Sequence, residues 1–85
     1  MGTLYVVSTP TGNLEDLSPR AARVLREVAL VAAEDTRVAR KLLQRAGSTA
    51  RTASYDQHSR PAALKRIIRA LDDGDVALVT DARTP

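Results

Sequence analysis

The chain has 85 residues, 44% of them hydrophobic and 27% charged, which allows one domain near the size where burial barely exceeds chain entropy. It contains no Cys, Phe or Trp, so disulfides and thiolate metal sites are excluded, and with Tyr5 and Tyr55 as the only aromatics a base-stacking single-strand binder is disfavoured. The net charge of +3 carries 11 arginines against 2 lysines; arginine binds phosphate bidentately, although an excess of this size also suits an ordinary solvated surface.

No apolar run approaches membrane-spanning length. Met1 is followed almost directly by a strand pattern, so no signal peptide and a cytoplasmic location are expected. Leu4 to Val7 is a short apolar, β-branched run that reads as a strand buried on both faces. The chain then breaks at Ser8-Thr-Pro-Thr-Gly-Asn13, where Pro10 fixes one φ and Gly12 and Asn13 tolerate a positive one. Ser18-Pro19 is a helix start, with Ser18 as N-cap and Pro19 at the first position. Ala21, Leu25 and Val28 form its apolar stripe, with Arg20, Arg23, Arg26 and Glu27 outward.

Ala29 to Ala33 reads as a second buried strand. It ends in Glu34-Asp-Thr-Arg37, where Asp35 or Thr36 can cap the next helix and the carboxylates favour its positive end. That helix runs to about Ala46, burying Val38, Leu42, Leu43 and Ala46, and stops at Gly47. Its other face carries Arg37, Arg40, Lys41, Gln44 and Arg45. Thr49 to Tyr55 is the weakest strand pattern of the set, and Asp56 to Ser59 is a polar loop in which His58 reads as a surface residue. A third helix starts near Ser59 and ends at Gly74, with Leu64, Ile67, Ile68 and Leu71 inward and Lys65, Arg66 and Arg69 on its polar side. Val76 to Thr80 is the last buried strand, followed by Asp81-Ala-Arg-Thr-Pro85.

This alternation predicts an α/β fold: a parallel sheet with helices on both faces. In such sheets ligands bind at the carboxyl ends of the strands. If the first and last strands are neighbours, their exit loops share one crevice with Glu34 and Asp35. Such a crevice suits a ligand with ammonium, hydroxyl and carboxylate groups. The chain has neither a G-x-G-x-x-G after its first strand nor a G-x-x-x-x-G-K-[ST] loop, so a dinucleotide fingerprint and a P-loop are absent.

Taken together, Ser8-Thr-Pro-Thr-Gly-Asn-Leu14, Asp16-Leu17 and Arg20-Ala21 resemble the opening "TPIGNLxD…RA" of the ribosomal small-subunit 2′-O-methyltransferase I family. Ala33-Glu-Asp-Thr-Arg37 with Leu42-Leu43 resembles its "AEDTR…LL" segment. Ser54-Tyr55 and His58 fall where that family has "SYHEHNE", and Val79-Thr-Asp-Ala-Arg-Thr-Pro85 where it has "VSDAGTP". The family belongs to the tetrapyrrole-methylase superfamily. The resemblance implies S-adenosylmethionine held between two α/β domains of a homodimer, residues 1–85 being the N-terminal domain of a longer protein. It also implies transfer of a methyl group to a cytidine ribose 2′-hydroxyl in small-subunit rRNA, with neither metal nor membrane involved.

By the same resemblance, Pro10, Thr11 and Gly12 with Asp81, Ala82 and Arg83 would line the cofactor cleft. Glu34, Asp35 and Arg37 would border the active site, and Arg37, Arg40 and Lys41 would hold rRNA phosphates. Glu34 and Asp35 are the candidates for the base that removes the 2′-hydroxyl proton, with helix capping the plainer role for them. Arg83 stands where the family has glycine, and its side chain would crowd a closely approaching ligand. Asp56-Gln57 and Ser59-Arg60 also depart from the family pattern. Two other readings remain open: a methylase of tetrapyrrole precursors or other small molecules, and a non-catalytic dimerisation or RNA-contact module.

Overall fold

The computed structural model describes residues 2–9, 17–56 and 58–81, with the backbone alone of Thr9 and Asp81. Its elements in chain order are β1 (Leu4–Thr9), α1 (Pro19–Glu27), β2 (Leu30–Ala33), α2 (Thr36–Ala46), β3 (Arg51–Ser54), α3 (Arg60–Asp73) and β4 (Val76–Asp81). All strand pairs run parallel, in the spatial order β1-β4-β2-β3. Parallel neighbours cannot be joined by tight turns, so each connection crosses over through a helix. The fold is α/β.

Local chemistry sets the helix ends. Ser18 Oγ accepts from the Ala21 N–H at 3.1 Å and opens α1 with Pro19 in its first turn. Asp35 caps α2 through the Arg37 N–H at 2.9 Å, and Gly47 closes it with φ +75°, a conformation that costs a residue with a Cβ. The ends of these helices are tied together. Ser48 Oγ donates to the Leu25 carbonyl at 2.6 Å, and Arg26 Nη1 donates to the Ala46 carbonyl at 3.3 Å.

Side-chain alternation along the strands divides the core between the two faces of the sheet. On one, Val7, Val31, Ala33, Ala77 and Val79 pack under Leu25 and Val28 of the first crossover and Leu42 and Leu43 of α2. On the other, Leu30, Ala32, Ala53 and Val76 pack under Ile67 of α3. Leu25, Leu42, Val31 and Val76 are fully buried, each stabilising by roughly 1.5–3 kcal/mol through burial. The small residues of β2 let helices approach from both sides.

Two readings of the sequence are corrected. Leu4 to Val7 is not buried on both faces: Val7 is in the core, but Leu4 and Val6 are 46% and 65% exposed. β1 lies at the outside of the described sheet, and α3 packs over β2, β3 and β4. On α3, Ile67 and Leu71 point inward as expected, but Leu64 and Ile68 are 43% and 64% exposed and Ala63 is buried in their place. The seam against the sheet is narrow, and Leu64 and Ile68 fall just beside it. Smaller shifts leave Ala29 exposed ahead of β2, Val38 half-buried, and β3 confined to Arg51–Ser54.

Candidate functional site at the carboxyl edge of the sheet

The register fixes which strand ends meet. Ser8 lies beside Thr80 and Thr9 beside Asp81 across the β1–β4 pair, while Ala33 of β2 lies beside Val79. The exits of β1 and β4 are therefore neighbours, as the two-loop reading requires. Glu34 and Asp35 follow on the other flank of β4. Asp81 is the last residue of β4. Pro10, Thr11, Gly12, Ala82 and Arg83 lie outside the described residues.

Asp35 is the best-defined side chain of this edge. Besides capping α2, it takes a two-pronged contact from Arg37, with Nε to Oδ1 at 3.2 Å and Nη2 to Oδ2 at 3.3 Å. The Arg37 side chain and N–H hold the Asp35 carboxyl below its ordinary pKa, and Asp35 in turn raises that of Arg37. A carboxylate held this way is a weakened proton acceptor, so the geometry favours capping over base chemistry for Asp35. Glu34 is exposed beside it. Arg40 and Lys41 are exposed on the outer face of α2 and, among the described residues, have no carboxylate partner such as Arg37 has.

The neighbouring loop after β3 is closed by Asp56. Its Oδ1 accepts from the N–H groups of Ser59 (2.7 Å) and His58 (2.9 Å), with Ser59 Oγ at 2.9 Å. The Ser59 N–H and hydroxyl, followed by the His58 N–H, lower the Asp56 pKa. The residue of this loop that sequence reasoning passed over is thus Asp56, which holds the turn into α3. An Asp three residues ahead of a helix N-cap, able to accept from the N–H groups two and three positions on, is the signal for it.

The fit of S-adenosylmethionine can be judged at this edge. Glu34 and Asp35 follow the end of β2, and carboxylates there suit an ammonium or ribose hydroxyls. The hollow among Ala33, Glu34, Asp35, Val38 and Val79, however, holds only about 10 Å³, room for about one water. The described residues of this edge could therefore supply no more than one wall of a site for such a ligand.

Residues 3–82 match the model of the family described as Tetrapyrrole (Corrin/Porphyrin) Methylases. The chain belongs to the tetrapyrrole methylase family. Among its relatives within that family, proteins named "Ribosomal RNA small subunit methyltransferase I" are similar along essentially the whole chain. The one from Pseudomonas aeruginosa is 55% identical over 99% of this chain and 30% of its own length. That from Synechocystis is 48% identical over 100% of the chain and 31% of its own length, and that from Escherichia coli O157:H7 is 45% identical over 99% and 30%. The tetrapyrrole methylase chain described here thus spans about 30% of the length of these curated relatives. Among the described residues, no helix is long and apolar enough to cross a membrane.

Proposed function

We propose that this tetrapyrrole methylase domain is the N-terminal part of an S-adenosylmethionine-dependent methyltransferase whose substrate is a cytidine ribose 2′-hydroxyl of small-subunit rRNA. The observation that carries the proposal is end-to-end similarity, at 45–55% identity, to relatives named for ribosomal RNA methylation. The neighbouring exits of β1 and β4 support it, because both loops assigned to the cofactor by resemblance then leave the sheet from adjacent strand ends. A cytoplasmic homodimer is part of the same reading.

The residues proposed to hold the cofactor are Pro10, Thr11 and Gly12 after β1 and Asp81, Ala82 and Arg83 after β4. When bound, the sulfonium supplies an already activated methyl group. The protein then has to align the ribose hydroxyl and accept its proton. Asp35 serves as the cap that fixes the start of α2 at the rim. Glu34, exposed and outside the cap, is the remaining candidate for proton acceptance from this edge. Arg40 and Lys41 are available to phosphates, whereas the charge of Arg37 is already partly offset by Asp35.

The test is a chimera in which this chain replaces the matching segment of the Pseudomonas aeruginosa relative, assayed for methyl transfer to small ribosomal subunits. Modification of a cytidine 2′-hydroxyl is expected. Transfer only to tetrapyrrole precursors would establish the small-molecule alternative, and no transfer with either substrate the non-catalytic one. Arg83→Gly in the chimera is expected to tighten cofactor binding by about tenfold or more, the effect of relieving roughly 1.4 kcal/mol of crowding at a close approach. An unchanged affinity would reject the inhibitory role of Arg83.

A further inference from the structure

The opposite, amino-terminal edge of the sheet carries a basic feature that shares only Arg40 with the residues proposed above for phosphate contact. A cleft of about 410 Å³ opens between the start of β3 and the second half of α3, floored by Ala29, Leu30 and Ala70. Arg51 enters from the strand and Arg66 and Arg69 from the helix, with Asp73 the only carboxylate lining it among the described residues. Around the outer edge of β3, a second groove of about 600 Å³ is lined by Arg40, Gln44 and Ser48 of the α2 side, again with Arg51 and Thr52. The two hollows share Arg51 and Thr52 and so form one band, from α2 across β3 to α3.

Three properties of the band bear on its ligand. Among the described residues, the guanidinium groups of Arg40, Arg51, Arg66 and Arg69 have no hydrogen-bond or ion-pair partner. Arg51 and Tyr55 direct their N–H groups to the carbonyls of Ala29 and Ala33, so by strand alternation the Thr52 N–H faces outward into the band. The cations come from three elements: Arg51, Arg66 and Arg69 share the first cleft, and Arg40 lies in the adjoining groove beyond Arg51, so the charge extends across both hollows rather than ending in one. A compact anion needs a single nest; a linear chain of phosphates matches a line of guanidinium forks.

From this geometry we infer that Arg40, Arg51, Arg66 and Arg69 form a track for an RNA backbone along the β3 edge. The inference rests on the RNA-substrate reading above and extends it to a surface away from the methyl-transfer edge. Arg51 and Ser54 are three residues apart, about 10 Å along the strand. RNA gripped there reaches the carboxyl edge within a few nucleotides. With no aromatic side chain lining either hollow, the track reads phosphates rather than bases.

The test measures binding of the chain to a fluorescent small-subunit rRNA stem-loop between 50 and 200 mM salt. The Arg51→Gln/Arg66→Gln/Arg69→Gln variant is compared with Arg20→Gln/Arg23→Gln on α1, and folding is checked by thermal melts. The track variant is expected to bind about tenfold or more weaker at 100 mM salt. Its slope of log K against log salt should fall by about 0.7–0.9 for each phosphate no longer neutralised, while the α1 control is unchanged. Single substitutions should each remove about one such step. Equal affinity and slope for the track variant, equal losses in both variants, or no binding by the wild-type chain would each overturn the track.

The same substitutions in the chimera separate this inference from the reading beneath it. Methyl transfer with an unchanged KM for subunits removes the track and leaves the methyltransferase. Weakened RNA binding by the track variant in a chimera that transfers no methyl keeps the track and removes the methyltransferase.

Discussion

The two outer strands of the described sheet differ in almost every respect that decides what can lie against them. β1 is six residues long and presents Leu4 and Val6 outward on the α3 side. β3 is four residues long and presents Arg51 and Thr52 between two basic hollows. The same contrast runs along α3. Arg66, Arg69 and Asp73 line the cleft on the β3 side, so helical geometry turns the exposed Leu64 and Ile68 toward the β1 side. The Gly2 N–H, just ahead of β1, ties the two elements by donating to the Leu71 carbonyl at 2.6 Å. One edge is shaped by apolar side chains and the other by guanidinium groups, which ties opposite surface chemistries to opposite ends of one small sheet.

The neighbouring isoleucines of α3 offer the largest expected effect. Ile67 is buried in the sheet-facing cluster, whereas its neighbour Ile68 is mostly in solvent. Ile67→Ala should destabilise by about 2–5 kcal/mol in urea unfolding, through the forfeited transfer energy and the cavity left behind. Ile68→Ala should change stability by less than about 0.5 kcal/mol. Comparable losses for the two would mean that the apolar side of α3 is covered in solution.

Next comes Gly2, which anchors the start of β1. A Cβ built there collides with the Gly74 carbonyl oxygen and carbon, backbone atoms that cannot swing aside as a flexible side chain would. Thr3 adds a second tie, its N–H donating to Asp75 Oδ1 at 2.8 Å. Gly2→Ala should therefore cost about 1–3 kcal/mol, the usual range for overpacking, and loosen the β1 edge first. Amide exchange that rises across Leu4 to Val7 while that of β3 stays fixed is the expected pattern.

Much of this arrangement is legible in the sequence because it rests on local chemistry. Ser18-Pro19, Asp35 and Gly47 mark helix ends through groups within three residues of them, and the structure uses each in that way. The apolar runs of β2 and β4 likewise name buried strands. The status of β1 was not legible, because Leu4 to Val7 has the composition of a central strand and only tertiary packing leaves it outside. At the carboxyl edge, Asp35 could be identified as a cap, but its hold on Arg37 depends on a rotamer. The β3 band was invisible for a related reason. Arg40, Arg51, Arg66 and Arg69 are spread over thirty positions with no motif, and the fold alone brings them together.

A smaller effect concerns charge at the ends of β2 and β3. The carboxyls of Asp35 and Asp56 are both held below their ordinary pKa, by Arg37 and by Ser59 respectively. The folded state therefore binds fewer protons than the unfolded state as pH falls past the ordinary value near 3.8. Their contribution is fully present above that pH and is lost as pH drops through the folded values. Asp35→Asn keeps a capping oxygen but removes the charge, so Tm near neutral pH should fall by only a few degrees. The acid side of the Tm–pH profile should become shallower. A profile that keeps its wild-type slope would mean that the Arg37 contact does not persist in solution.

The smallest effect on stability is expected from exchanging the character of the two edges. Val6→Lys places a charge on an exposed position of β1, and Arg51→Val removes one from β3; both side chains are largely outside the core, so each should alter stability by less than about 0.5 kcal/mol. Association should respond far more. Natural sheets blunt an open edge with charged side chains because its unpaired N–H and C=O groups otherwise template another strand. By that reasoning Arg51 already guards β3, and among the described residues β1 carries no such charge. Light scattering against concentration should fall for Val6→Lys and rise for Arg51→Val. If both variants scatter like the wild type, the apolar edge is not open to other strands in solution, and the contrast between the edges is one of ligand chemistry alone.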